Sequence, residues 1–452
     1  MEKPVRYRYD YSKCMVMKIG LSHPDPQDNT KSRVLLTFAQ ALEYIKAIDA
    51  ITQGITKIYY LVGWQYLGHD DKYPDFFEVN QALKRPEDET AYDSFRWLCQ
   101  QAKQYHSVVS VHINFNDAYD NAPSFPEFVE KGALIRKRNG KIHAVERYNG
   151  RKCYKTCHKT YWESGLFQRQ FDRFVETFPF IAEAGTIHVD NFQCYQNYAP
   201  YVSIADMQQA RRRMVEYVRL KGIDITSEFT YKETPYFPNR MPFGLPRDHF
   251  KWAKMDTVGE IPMSWWLYRM TRKEILAVPP HVYCGGEWRE RRRNEYLYGN
   301  MHAEEILTPN NADWAADFIA RFATYQVPFH FLSDHRRLAI HGVGQNTRCV
   351  FSDDIVSYAK EQKITWHGEV LKTRNTVFLP LVQKENQWLA YSDTGNAQNR
   401  RVFAEGAKKA DIYAITPQGN RYLRTVPVED GRFYLSIAPG QALLVVFRAA
   451  ED

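Results

Sequence analysis

Two apolar, β-branched segments each run into a carboxylate, and this pattern constrains the fold of the chain more than any other feature. The first segment, residues 185–192, places Asp190 after its apolar run, and the second, residues 222–229, holds Glu228 in the matching place. Such runs are typical of buried parallel strands. In barrels of alternating strands and helices, the chemistry lies at the carboxyl ends of the strands. The pattern therefore predicts that Asp190 and Glu228 share one site.

Strand and helix signals alternate along the first three quarters of the chain. The expected strands cover residues 14–19, 55–64, 108–115, 185–190 and 222–229, and the expected helices cover residues 35–51, 88–106, 163–184 and 203–222, the last with a capping box at Ser203 and Asp206. Less regular signals follow at residues 247–255, 259–266, 271–274, 281–284, 313–325 and 327–332, the last of them read as a strand. The alternation predicts a (β/α)8 barrel of the TIM type over residues 1–345.

Two regions depart from the alternation. Residues 118–162 form an insertion in which Asn139-Gly140 predicts a hairpin with a type I′ turn, and insertions at this end of a barrel usually build the binding site. After residue 345, short strand-like runs alternate with turn signals. This texture predicts a small antiparallel β-sandwich over residues 346–452, packed on the barrel and without a site of its own.

Charge and aromatic content bound the class of partner. The formal net charge of +7 is small for 452 residues, and the arginine clusters at 211–213 and 289–293 are best interpreted as solvated helix faces, so no nucleic-acid partner is expected. Aromatic residues make up 15% of the chain, and aromatic rings pack well on the C–H faces of sugars. The composition mildly favours a carbohydrate ligand.

Cysteine content and the amino terminus bear on the compartment. Seven cysteines, an odd number lying mostly in apolar patterns, predict free buried thiols rather than a disulfide framework. Cys153, Cys157 and His158 resemble half of a metal site, but no second pair at zinc-like spacing accompanies them. The first residues contain no apolar signal segment, and no apolar run reaches the length of about 18 residues needed to span a membrane. We expect a cytoplasmic protein as written, or an exported one if a signal has been removed, with no membrane partner.

A carboxylate pair at neighbouring strand ends suits glycosidic bond cleavage. Retaining enzymes hold a nucleophile and an acid/base about 5 to 5.5 Å apart, and one strand–helix–strand repeat separates Asp190 from Glu228. In the alternative interpretation, Asp190 caps a loop and Glu228 pairs with Arg213 or Lys232. Other acids that compete for these roles are Asp75, Asp117, Glu163, Glu233, Asp256, Glu260 and Glu287. Glu287 is the strongest of them, because it follows Gly285-Gly286 at the end of a predicted strand.

The loop after the second predicted strand concentrates polar and aromatic side chains. We expect His69 and Asp70 to hydrogen-bond sugar hydroxyls while Trp64 or Tyr66 stacks on the ring. A solvent-exposed turn with a capping aspartate is the alternative.

Two segments resemble blocks of a known family. Residues 63–75, GWQYLGHDDKYPD, and residues 111–119, VHINFNDAY, are similar to conserved motifs of the endo-α-N-acetylgalactosaminidases, glycoside hydrolase family 101, and the endings of the next two strands match in order. The resemblance implies that Asp190 is the nucleophile and Glu228 the acid/base. It also implies that His69 and Asp70 bind the terminal sugar, that His112 and Asn114 support the floor of the site, and that no metal or organic cofactor is needed.

The chain also departs from that family's pattern. It is much shorter than the family's endo-enzymes, it carries Tyr73-Pro74-Asp75 where they have His-Pro-Asp, and the flanks of Asp190 differ. It is therefore also similar to the related exo-acting α-N-acetylgalactosaminidases. The expected function is retaining hydrolysis of α-linked N-acetylgalactosamine or of an O-glycan that contains it. An α-galactosidase and a non-catalytic carbohydrate-binding protein are the alternatives; the aglycone and the oligomeric state do not follow from the sequence.

Overall fold

A computed structural model describes residues 7–190, 192–229, 264–266, 276, 301, 303, 304 and 306–449, with the backbone alone at residues 146, 228, 229 and 264–266. Within this range, no helix combines the length and the apolar character needed to cross a bilayer. The predicted free thiols are confirmed at six positions, all buried: Cys14, Cys99, Cys153, Cys157, Cys194 and Cys349. Cys284 lies outside the described residues.

A parallel sheet organises the first half of the chain. The strands up to residue 266 are β1 (Met15–Gly20), β2 (Ser22–Pro24), β3 (Ser32–Val34), β4 (Lys57–Val62), β5 (Ser107–Ile113), β6 (Asp117–Tyr119), β7 (Ala144–Tyr148), β8 (Arg151–Lys155), β9 (Thr186–Val189), β10 (Asn197–Tyr198), β11 (Tyr201–Val202), β12 (Asp224–Phe229) and β13 (Ser264–Trp266). Six of these pair in parallel in the order β1-β4-β5-β9-β12-β13. The five strands predicted before residue 230 are thus confirmed.

Helices connect consecutive strands of this sheet. They are α1 (Phe38–Thr52), α2 (Ala91–Ala102), α3 (Phe125–Glu130), α4 (His158–Glu163), α5 (Leu166–Thr177), α6 (Pro179–Ala184) and α7 (Ile204–Leu220). The capping box at Ser203 is confirmed, since its side chain accepts from the Asp206 amide. The single helix expected over residues 163–184 is divided among α4, α5 and α6. Gly165, at φ +75°, and Pro179, which disfavours helical backbone at Phe178, separate them.

Two predictions on local structure were wrong. Residues 327–332, expected to be the last barrel strand, lie in helix α9 (Val327–Ser333), which follows α8 (Trp314–Arg321) and a π-helical turn (Phe322–Gln326). Periodicity alone does not separate a short buried strand from a buried helix, and this apolar run is buried nearly all round. The Asn139-Gly140 turn is not type I′, because Gly140 takes a positive φ while Asn139 does not.

The sheet divides its neighbours into two layers. Alternate residues of β4 point to opposite sides: Tyr59 and Leu61 join the main core with the helices, whereas Ile58 and Tyr60 join a second cluster with Phe329 of α9. On that second side the Tyr60 hydroxyl lies 2.6 Å from the Thr186 hydroxyl. The face of the sheet that carries Thr186 is therefore packed at the amino-terminal end of β9.

An antiparallel sheet occupies the last quarter of the chain. Its region contains β14 (Arg337–His341), β15 (Arg348–Phe351), β16 (Ile355–Tyr358), β17 (Lys363–Trp366), β18 (Glu369–Lys372), β19 (Thr376–Pro380), β20 (Gln387–Ser392), β21 (Asn396–Arg401), β22 (Lys409–Thr416), β23 (Gly419–Pro427), β24 (Arg432–Ile437) and β25 (Gln441–Arg448). Ten of them form one sheet, and β21 pairs with β24 separately. The two side-chain amides of Gln53 and Asn420 hydrogen-bond to each other, which ties α1 to this region. The division at residue 345 stays a prediction.

Glycine at position 63 is required by a close backbone approach. It has φ +74°, and an added Cβ would lie 1.8 Å from the carbonyl oxygen of Ser22. Gly132, at φ +68°, has no atom within 4 Å of an added Cβ. Both positions disfavour a side chain through φ, but only Gly63 also meets fixed backbone.

We expect Gly63→Ala to lower the free energy of unfolding by about 3 kcal/mol or more, and Gly132→Ala by about 1 kcal/mol, because the first adds a steric clash to the cost of positive φ. Denaturant unfolding of the two variants beside the wild type measures the difference. Equal losses in both variants would mean that the Ser22 contact does not constrain the loop.

Candidate active site

Asp190 stands at the carboxyl end of β9, between two hydrogen-bonded neighbours. All four residues of β9 are buried, and the Asp190 amide donates to the carbonyl oxygen of Ile113 in β5 at 2.8 Å. On the other side, Val189 pairs with Ser227 of β12. Glu228 follows Ser227 as Asp190 follows Val189, so the two backbone positions lie side by side at the usual strand spacing of about 4.8 Å. The predicted adjacency of the two strands is confirmed.

Two side chains of β5 and its following turn reach the carboxylate of Asp190. His112 Nε2 lies 3.7 Å from Asp190 Oδ2, and Asn114 Nδ2 lies 3.5 Å from the same oxygen. His112 and Asn114 are buried, whereas the Asp190 side chain keeps 18% of its surface exposed. The carboxylate is therefore held by residues of the sheet side and remains partly exposed.

Asn114 is itself fixed by the turn that it begins. Its Oδ1 accepts from the amides of Asn116 at 2.7 Å and Asp117 at 2.9 Å, and its Nδ2 donates to Asp117 Oδ2 at 3.0 Å. Asparagine side chains commonly close such turns by accepting from the backbone ahead of them. These contacts leave the amide nitrogen, and not the oxygen, facing Asp190.

The loop after β4 brings His69 and Asp70 to the same place. The His69 amide donates to the Ser22 carbonyl oxygen at 3.0 Å, and its ring meets that of His112 edge to face at 5.2 Å between centroids. His69 Nε2 lies 3.6 Å from Asp70 Oδ1. His69, Asp70, His112, Asn114 and Asp190 thus form one polar cluster at the strand ends.

Trp64 and Tyr66, expected to stack on a sugar, are not brought to this cluster. Trp64 is fully buried, donates from Nε1 to the His112 carbonyl oxygen at 3.2 Å and packs against Phe95 and Phe178. The Tyr66 hydroxyl accepts from the Phe77 amide at 3.4 Å, and its ring lies under the Lys72 ammonium. The Trp64 ring therefore supports the loop from the helix side, whereas the Tyr66 ring contacts other residues of the loop itself.

A buried ion pair adjoins the cluster. Lys155 Nζ lies 2.5 Å from Asp117 Oδ1, and both side chains are nearly inaccessible to solvent. Burial raises the pKa of Asp117 to about 6; the Lys155 ammonium opposes that rise, whereas the carboxylates of Asp70 and Asp190 add to it. Three carboxylates therefore act on one another here, and Lys155 supplies a compensating positive charge.

Sequence reasoning missed several residues of this neighbourhood. His188 pairs in register with His112, places its ring 5.3 Å from that ring, and has Nδ1 2.9 Å from the Thr226 hydroxyl. Tyr73 is buried, and its hydroxyl pKa is raised well above the ordinary value, first by burial and then by Asp70, Asp190 and Asp117. The alternation of β9 gave a usable signal for His188, but nothing in the sequence associated Lys155 with Asp117.

Of the competing acids that the structure describes, Asp75 and Glu163 lie elsewhere. Asp75 Oδ2 accepts from the Ser124 amide at 2.7 Å, and burial raises the pKa of this carboxyl. Glu163 is half-exposed and pairs with Lys159. The remaining candidates, all outside the described residues, are Glu233, Asp256, Glu260 and Glu287.

The predicted family resemblance is confirmed over just under half of the chain. Residues 15–236 match the family model described as endo-α-N-acetylgalactosaminidase. No curated protein matches the sequence.

Solved structures show a similarity of fold. The ligand-free α-N-acetylgalactosaminidase NagBb from Bifidobacterium bifidum superposes with a TM-score of 0.52 at 15% identity, over 78% of this chain and 58% of that one. Its N-acetylgalactosamine complex gives 0.51 at 15% identity, over 79% and 57%. The chain therefore spans less than two thirds of the length of these relatives.

Removing the buried lysine tests the charge balance. We expect Lys155→Met to lower the free energy of unfolding by about 3 to 5 kcal/mol near pH 8, because it leaves the Asp117 carboxylate buried without its cation. When folding raises the pKa of a carboxyl group, the protein loses stability as the pH rises through that pKa. The loss of stability in Lys155→Met should therefore be smaller below the Asp117 pKa of about 6. Denaturant unfolding between pH 5 and 8 measures it.

Lys159→Met is the matched control, since Lys159 forms an exposed pair with Glu163. Its effect should be small at every pH. A deficit in Lys155→Met that does not change with pH would contradict the proposed coupling to Asp117.

Proposed function

We propose that this chain, which is endo-α-N-acetylgalactosaminidase-like over residues 15–236, is a retaining glycoside hydrolase that cleaves α-linked N-acetylgalactosamine. The family match supports a glycosidase with a carbohydrate substrate. One structural observation supports the choice of catalytic residues. Asp190 and Glu228 directly follow Val189 and Ser227, which pair on neighbouring parallel strands. The polar cluster of His69, Asp70 and His112 lies at the same strand ends.

The strand spacing favours a double displacement. Retaining glycosidases hold their two carboxyl groups about 5 to 5.5 Å apart, whereas inverting enzymes separate them by about 6.5 to 9.5 Å to admit a water. Side-by-side backbone positions about 4.8 Å apart suit the shorter distance. In the proposed reaction, Asp190 attacks the anomeric carbon while Glu228 protonates the departing oxygen. Water then hydrolyses the glycosyl–enzyme bond, with Glu228 acting as the base.

The cluster around Asp190 supplies orientation and hydrogen bonds. Asn114 and His112 hold the nucleophile's Oδ2 in place, while part of the carboxylate stays exposed to an incoming sugar. His69 is one-third exposed, and Asp70 lies beside it, so both can reach sugar hydroxyls. In this role Asp70 accepts hydrogen bonds and His69 donates or accepts, which suits a ring that carries several hydroxyl groups.

The finer architecture belongs to the same proposal. We take the parallel sheet as part of a closed (β/α)8 barrel over residues 1–345, and the antiparallel region as a sandwich over residues 346–452. A closed barrel would place Glu287 at the rim with the other strand ends, where it would contact substrate.

Replacing either carboxylate tests the assignment of roles. We expect Asp190→Asn and Glu228→Gln each to lower kcat on an aryl α-N-acetylgalactosaminide by at least about a hundredfold, because one loses the nucleophile and the other the proton donor. Azide should restore turnover in the nucleophile variant through direct attack on the sugar. Steady-state kinetics measure both effects.

Glu183→Gln is the control, because Glu183 is an exposed carboxylate on α6. Its kcat should equal that of the wild type. Wild-type turnover in Asp190→Asn or Glu228→Gln would rule out the proposed pair.

The sugar and the stereochemistry are tested together. We expect the wild type to hydrolyse nitrophenyl α-N-acetylgalactosaminide and to release the α-anomer first, since two displacements restore the starting configuration. Proton NMR during the first minutes of reaction observes the anomer directly. Turnover of the α-galactoside alone would identify an α-galactosidase instead, and ligand binding without hydrolysis would identify a carbohydrate-binding protein.

A further inference from the structure

We propose that His69, His112 and Asp190 form a binding site for a divalent transition-metal ion, with Zn²⁺ as the best-matched ion, and that the bound ion shuts off the active site. One ligand atom from each of these residues lies within 4.8 Å of the others. They come from three separate chain segments: the loop after β4, the strand β5 and the end of β9. In the proposed reaction the Asp190 carboxylate must be free to attack the sugar, so an ion bound to it would act as an inhibitor.

The distances are close to those that a tetrahedral ion requires. Zn²⁺ binds imidazole nitrogen and carboxylate oxygen at about 2.0 to 2.2 Å, which places ligand atoms about 3.3 to 3.6 Å from one another. His112 Nε2 and Asp190 Oδ2 are already 3.7 Å apart. His69 is the most accessible of the three, with 34% of its side chain exposed, so a small rotation of its ring closes the remaining gap.

The donor set and the surrounding charge select the type of ion. Two imidazoles and one carboxylate suit zinc, nickel or copper, whereas magnesium and calcium prefer sites built from oxygen. Asp70 lies beside His69, and Asp117 acts electrostatically on Asp190, so negative charge surrounds the position. Asn114 also orients the Asp190 carboxylate, and such outer contacts strengthen metal sites by fixing their ligands.

The consequence for catalysis follows from the shared oxygen. A metal on Asp190 Oδ2 would occupy the lone pairs of the proposed nucleophile, and a metal on His69 would displace the hydroxyl of a bound sugar. Substrate and metal would therefore exclude each other. This step rests on the proposed function, but metal binding itself depends only on the geometry of the three side chains.

The test measures metal binding directly on the full chain. Zinc titration by calorimetry should give one tight site, and Co²⁺ in place of Zn²⁺ should produce the intense visible absorption of a low-coordinate complex. His69→Gln and Asp190→Asn should each weaken zinc binding at least about tenfold, because each removes one of three ligands. His106→Gln is the matched control, since His106 is an exposed histidine 3.1 Å from Asp49, and it should bind zinc as the wild type does.

Activity supplies an independent readout. Zinc should raise the apparent KM of the wild type without lowering kcat, and EDTA should reverse the effect. Zinc affinity that is the same in wild type, His69→Gln and Asp190→Asn would overturn the metal site even if the enzyme is active. If no sugar is cleaved but the two variants lose zinc binding, the metal site stands and the proposed function fails.

Discussion

The hydrogen bonding of β9 on both of its edges is the interaction on which the rest of the site depends. This short strand pairs in parallel with β5 through His188 and Val189, and with β12 through Thr186 to Val189. A parallel register fixes which residues lie level on neighbouring strands, so a shift by one residue would turn every side chain to the other face. The position of Asp190 relative to His112 and to the backbone of Glu228 is a direct result.

The buried carboxylate of Asp117 is stabilised by a buried cation rather than by solvent. Asp117 is buried, and burial together with the carboxylates of Asp70 and Asp190 raises its pKa because each disfavours its charged form. Lys155 offsets part of this cost because its ammonium reaches Asp117 from the neighbouring strand of a small sheet. The insertion that carries Lys155 therefore supplies the positive charge that balances Asp117.

The strands could be predicted from the sequence because the hydrophobic pattern that identifies a strand is local. An apolar β-branched run that ends in a carboxylate predicts a buried strand, and β9 and β12 match that prediction. The resemblance of residues 63–75 and 111–119 to family motifs also grouped His69, Asp70, His112 and Asn114, which the structure places near one another and near Asp190, while their roles stay a prediction.

What the sequence did not predict depends on contacts between distant segments. Trp64 stands near the start of the loop over residues 63–75, yet the path of this loop turns it into the core, where its indole nitrogen donates to the backbone of His112. The pairing of Asp117 with Lys155 joins residues that no local pattern associates. The strand predicted over residues 327–332 was wrong for a related reason. Burial on all sides removes the periodicity that separates a strand from a helix.

The position of Trp64 changes the role expected for the loop after β4. Because its buried indole supports the His112 backbone, an aromatic residue of the motif acts on the site through a strand and not through stacking on the ligand. Gly63 and Gly68 serve the same end, since each approaches the backbone of β2 too closely for a side chain. The loop is thus held rigidly on two sides, and His69 and Asp70 owe their place to those supports. In the proposed function, a sugar would be bound by polar groups that the scaffold fixes, and the same fixed positions are what the proposed metal site requires.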